Sequence, residues 1–90
     1  MIQFENRAID DLESIRQEDG HEVMLMLFEW CHRLDDASTR IMAERLGRKP
    51  PIFRLRVEDF HINFLLVSDN GVDAVRITRV RRRHRKMPPL

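Results

Sequence analysis

The chain has 90 residues, 42% hydrophobic and 34% charged, which describes one domain of ordinary soluble composition near the size where a single core becomes marginal. No apolar run approaches the ~20 residues of a membrane span, the opening MIQFENRAIDD lacks a basic-then-apolar leader, and the single Cys31 excludes an internal disulfide framework. The cytoplasm, a reducing compartment, is therefore the expected location. A net charge of +1 conceals an asymmetry: residues 1–47 carry 11 acidic and 5 basic side chains, net −6, whereas residues 48–90 carry 4 and 11, net +7. A basic half of this kind implies a polyanion or an acidic peptide as partner, or else a dipolar but merely solvated surface.

In chain order, Met1 to Glu5 alternates and precedes Asn6, a good N-cap residue, so a short strand is predicted. A helix follows over about Arg7 to Asp19, burying Ala8, Ile9, Leu12 and Ile15, with Gly20 at its C-terminal end. A second helix runs from about His21 to Leu34 with Val23, Leu27, Trp30 and Leu34 as its stripe. Met24, Phe28 and Cys31 lie beside that stripe, and Leu25 and Met26 widen it, which predicts the most buried helix of the domain. Its outer edge is alternatively a receptor for a partner helix, because methionines adapt to variable surfaces. After the capping residues Asp35 to Thr39, a third short helix is expected over Ala37 to Leu46, burying Ile41, Met42 and Leu46 and closing at Gly47. Pro50 and Pro51 stop any further helix.

The segment Ile52 to Val67, IFRLRVEDFHINFLLV, then alternates with period two. With Glu58-Asp59 as a two-residue turn, facing residues sum to 117: Val57 with Phe60, Leu55 with Ile62 and Phe53 with Phe64 on one face. Arg56 beside His61 and Arg54 beside Asn63 occupy the other. Glu is a poor residue for such a turn, which favours positive φ. Asn70-Gly71 is a strong turn signal that leads into a third strand, Val72 to about Arg81, with Leu66 opposite Val75 and Phe64 opposite Ile77. Continued unchanged, that register would bury Arg79. A bulge near Thr78-Arg79 is therefore expected, returning Val80 to the core and bringing Arg79 and Arg81 to the face of Arg54, Arg56 and His61. The tail from Arg81 to Leu90 is dense in positive charge. Helices preceding an antiparallel meander predict an α+β fold with the helices on one sheet face and the cations on the other.

At this level of detail the chain resembles the RelE/ParE superfamily of toxin–antitoxin toxins. Ile2-Gln3-Phe4 with Arg7-Ala8 and Leu12 is similar to its opening strand and helix, and Ala43-Glu44-Arg45-Leu46-Gly47 to its Ala-x-x-Leu-x-Gly approach to the sheet. Phe53 to Phe64 resembles the family's YRLRVGDYRIIY signature, and Val75 to Arg83 its basic final strand. The resemblance implies a single toxin domain over residues 1–90, with an N-terminal strand and two to three helices on one face of an antiparallel sheet. It implies an antitoxin that wraps the toxin with an extended acidic or amphipathic segment. It also implies one of two activities, cleavage of mRNA on the ribosome or inhibition of DNA gyrase, and fold alone does not choose between them. Three departures stand out. His61 occupies the place of an arginine, Glu58 that of a glycine, and Pro88-Pro89-Leu90 stand where some family nucleases carry a tyrosine; this chain has none. Arg83-His84 is similar to the C-terminal pair of the YoeB-like nucleases.

Metal-independent RNA cleavage needs a group to deprotonate a ribose 2′-OH, one to protonate the departing 5′-oxygen, and cations for the phosphate. His61 or His84 suits proton transfer, and neighbouring arginines would hold a histidine neutral as a base. Arg56 and Arg83 complete the catalytic set read here, while Arg54, Asn63, Arg79, Arg81, Arg82 and Arg85 are candidates for binding phosphate. The alternative for each is a solvated strand or tail position. No His or Cys pair has metal-ligand spacing, so neither metal nor cofactor is expected. Cys31, His21 and His32 are assigned to core and surface. The reading is an mRNA endonuclease toxin. Its alternatives are a non-enzymatic gyrase inhibitor and an inactive toxin-fold binding protein.

Overall fold

In the computed structural model, which describes residues 1–83, strand β1 (Ile2–Phe4) leads into helices α1 (Asn6–Asp19), α2 (His21–Arg33) and the single turn α3 (Ala37–Arg40). Strands β2 (Glu44–Arg48), β3 (Pro51–Val57), β4 (Phe60–Asp69) and β5 (Val72–Arg82) complete one five-stranded sheet in the order β1-β5-β4-β3-β2. The meander is antiparallel, and β1 alone runs parallel to its neighbour, β5. This is the α+β architecture expected from the sequence, with a parallel first strand added to the antiparallel meander.

The hairpin keeps its predicted register residue for residue, from Val57 opposite Phe60 to Phe53 opposite Phe64. Glu58 makes this possible by taking a φ of 52°, a left-handed conformation uncommon for a residue of its kind. At the next turn Asn70 and Gly71 adopt φ of 51° and 77°, as a primed turn requires. The bulge expected in β5 is present. Phe64 faces Ile77 but Asn63 faces Arg79, so Thr78 is the extra residue, and its hydroxyl donates to the Asn63 carbonyl at 3.1 Å. The slip restores Val80 opposite Ile62, and both are buried.

One face of the sheet thus presents Leu55, Val57, Phe60, Ile62, Phe64, Val75, Ile77 and Val80 to the helices, all buried. Ala8, Leu12 and Ile15 of α1, Leu27 and Cys31 of α2, and the following Leu34 meet them in one core. Each large side chain so buried contributes roughly 1.5–3 kcal/mol of hydrophobic stabilisation. Phe53 and Phe64 stack across the hairpin with ring centroids 5.3 Å apart.

The third helix departs from expectation. It ends at Arg40, and the residues assigned to its buried face are open: Ile41 is 82% exposed, Met42 64% and Leu46 45%. A ten-residue helix is marginal unless it buries a face, whereas the outer edge of β3 offers Glu44 to Arg48 partners for their backbone groups. Pairing wins, with a bulge between Arg45 and Gly47, and the guanidinium of Arg40 closes the helical turn on the carbonyls of Leu34 and Asp35. Two smaller differences concern the long helices. Ile9 is 51% exposed instead of buried, and α2, which adds Val23, Met24, Met26 and Trp30 to the core beside Leu27 and Cys31, leaves Leu25 and Phe28 partly open.

Candidate functional site

The sheet face away from the helices belongs to the even-numbered residues of β3 and the odd-numbered residues of β4, and every one of them from Ile52 to Arg56 and from His61 to Val67 keeps some exposure. Pairing arranges them in rows across the strands. The first row is Arg56–His61–Arg81; the second is Glu44–Arg54–Asn63, reaching Arg79 at the bulge; the third is Ile52–Leu65–Arg76, with Gln3 of β1 at its end. Successive rows lie ~6.6 Å apart along a strand.

His61 sits between Arg56 and Arg81, and both arginines are exposed. Among the described residues neither guanidinium is in a hydrogen bond or ion pair. Partial burial, and then the charges of Arg54 and Arg56, push the His61 pKa below its ordinary value, while Glu44 opposes them. These influences favour the neutral imidazole, the form able to accept a proton.

Arg54 is placed as expected but is already engaged: its Nε donates to Glu44 Oε1 at 3.0 Å, and its Nη2 pairs with the same oxygen. That hydrogen bond and the Arg54 charge, with further contributions from Arg56 and His61, hold the Glu44 carboxyl below the usual carboxylate range. Asn63 lies beside Arg54 with its Oδ1 buried and without a partner among the described residues, an uncompensated desolvation at the centre of the face.

Other predicted cations go elsewhere. Arg79 turns to the sheet edge beyond β1 and forms a two-pronged pair with Asp11 at 2.9 and 3.0 Å. Arg82 faces Phe60, on the helix side. Its guanidinium lies 4.7 Å from that ring and pairs with Asp19. Arg83 is half-buried, with its backbone N–H donating to the Asp59 carbonyl at 2.6 Å. His84 and Arg85 lie outside the described residues.

Two residues of this face escaped the sequence reading. Glu44 was assigned to a helix, and only its pairing opposite Arg54 brings it here. Arg76 was legible, because Val75 and Ile77 in the core force the residue between them to the opposite face. Its Nε and Nη2 both reach Gln3 Oε1, at 3.3 and 3.2 Å. Among the described residues no cluster of His, Cys, Asp or Glu could hold a metal, and no helix is long and apolar enough to cross a membrane.

No protein-family model matches the sequence, and neither does any curated protein. Among solved structures the chain is similar to one in the toxin–antitoxin complex RelBE2 from Mycobacterium tuberculosis, with a TM-score of 0.70 over 92% of this chain and 96% of that one. At 18% identity the likeness is one of fold alone: helices packed against a five-stranded sheet are common to the two chains.

Proposed function

We propose that the chain is the toxin of a type II toxin–antitoxin pair, acting in the cytoplasm as a metal-independent endonuclease on mRNA at the ribosome. The observation that carries this reading is His61, its pKa lowered by its surroundings and flanked across the strands by Arg56 and Arg81, two exposed arginines without carboxylate partners among the described residues. In this mechanism His61 takes the 2′-OH proton, and the oxygen attacks the adjacent phosphorus. Arg56 and Arg81 neutralise the charge that builds on the phosphate, where bidentate guanidinium contacts are strongest. His84 is the candidate for protonating the departing 5′-oxygen, with Arg83 beside it. The antitoxin's acidic segment would compete for the same cations.

The gyrase-inhibitor reading has its own support. Arg54, Arg79 and Arg82 are occupied by Glu44, Asp11 and Asp19, which leaves fewer cations for a phosphate than the sequence suggests.

A translation reaction supplied with the protein, followed by primer extension on the mRNA, decides between them. The nuclease reading expects discrete cuts within codons, reduced about 10²- to 10⁴-fold by His61→Ala. Intact mRNA together with trapped gyrase–DNA complexes would replace it with the binding reading.

A further inference from the structure

We infer that the third row of the open face, Ile52–Leu65–Arg76, is a nucleobase subsite that selects where the RNA is cut; this rests on the nuclease reading above. The row begins the argument by its position. Leu65 is four residues from His61 along β4, so the two lie ~13 Å apart on the same face. A single strand advances about 3.4 Å per nucleotide when stacked and further when extended, which sets the row roughly two to four nucleotides from the reacting phosphate.

Its composition differs from the rows before it. Ile52 and Leu65 are paired neighbours that stay half-exposed beside two polar rows, and with Val67 further along β4 they make a small apolar platform against which a base can lie flat. Arg76 closes one end of that platform as the cross-strand partner of Leu65. Among the described residues it pairs with no carboxylate. It is held by the neutral amide oxygen of Gln3, which fixes the guanidinium without cancelling its charge. A planar cation kept in place beside an apolar surface can stack on a base or read its edge with its remaining N–H donors.

Charge defines the route as well as the end. Across the three rows, Arg81, Arg56, Arg54 and Arg76 face Glu44 as the single carboxylate among the described residues, and Glu44 is taken up by Arg54. A polyanionic single strand fits that balance.

The test is the distribution of cuts on one defined mRNA in a translation reaction, mapped by primer extension for wild type, Arg76→Ala, Arg76→Lys and Leu65→Thr. Wild-type cutting should show a base preference a few nucleotides from the cut. Arg76→Ala and Leu65→Thr should weaken that preference about fivefold or more, with Arg76→Lys also weakened because it keeps charge but loses the planar fork. Because Arg76 also tethers β1, thermal melts identify any variant that is misfolded, and Leu65→Thr keeps the question open to test without disturbing Gln3. Folded variants that cut at the wild-type positions with the wild-type preference would overturn the subsite while leaving the nuclease intact. A wild-type protein that cuts no mRNA would overturn the nuclease reading and this inference with it.

Discussion

The carboxylate of Asp11 closes the sheet at the point where β1 stops: it accepts both prongs of the Arg79 guanidinium and, at 2.9 Å, the backbone N–H of Val80, 69 residues away in the chain. The strand β1 covers β5 only from Val75 to Ile77. Beyond it, a side chain from α1 substitutes for the missing strand and satisfies a backbone donor that would otherwise be unpaired. Arg79, one of the cations that the sequence offered for phosphate, thereby also ties α1 to β5.

Asp11→Ala should therefore lower Tm by several degrees, since a domain of this size loses about 4–8 °C per kcal/mol. Asp11→Asn should lose less, because an amide oxygen still accepts from Val80. Calorimetric or circular-dichroism melts of the two variants check this, and equal losses would assign the whole effect to the ion pair.

The electrostatics of the site make a second expectation. His61 should titrate below its ordinary value by NMR, and Arg56→Ala should move it back up. Glu44→Gln removes the one charge that opposes the shift, so it should move the pKa further down. The unfolded chain binds this proton more tightly than the folded one. Hence the stability tied to neutral His61 is fully present above about pH 6.5 and is lost as the pH falls through the folded-state value.

Arginine substitutions should sort by partner. Arg56→Ala and Arg81→Ala should each weaken mRNA cleavage about tenfold or more, the scale of losing one charge-assisted contact. Arg82→Ala, whose side chain packs on Phe60 and pairs with Asp19, should act mainly on thermal stability. Primer extension alongside melts separates the two classes. Loss of cleavage with Arg82→Ala at unchanged Tm would return that residue to the site.

The end of the helical region offers a fourth test. Leu34 is fully buried, and Leu34→Ala should cost about 2–5 kcal/mol. Ile41→Ala, at an 82% exposed position, should change stability by no more than about 0.5 kcal/mol. A large loss at Ile41 would restore the longer helix that the sequence suggested. Cys31 gives an independent reading of the same core: burial pushes its thiol up to about 12, so alkylation should follow unfolding and not precede it.

The hairpin, the bulge at Thr78 and the row Arg56–His61–Arg81 were legible in the sequence alone. Period-two alternation determines faces, and one buried face tolerates a single register, so apolar residues fixed where the polar ones must stand. The tertiary structure alone decided which cations remain available. Guanidinium groups on long side chains go to whichever carboxylate comes near, and Asp11, Asp19 and Glu44 approach Arg79, Arg82 and Arg54 only after the helices dock and β2 joins the edge. The strand β2 itself was hidden for the same reason. With Ile41 and Met42 before it, its Leu46 suits one face of a short helix, and the pairing that overrides this comes from an open edge that local sequence does not contain.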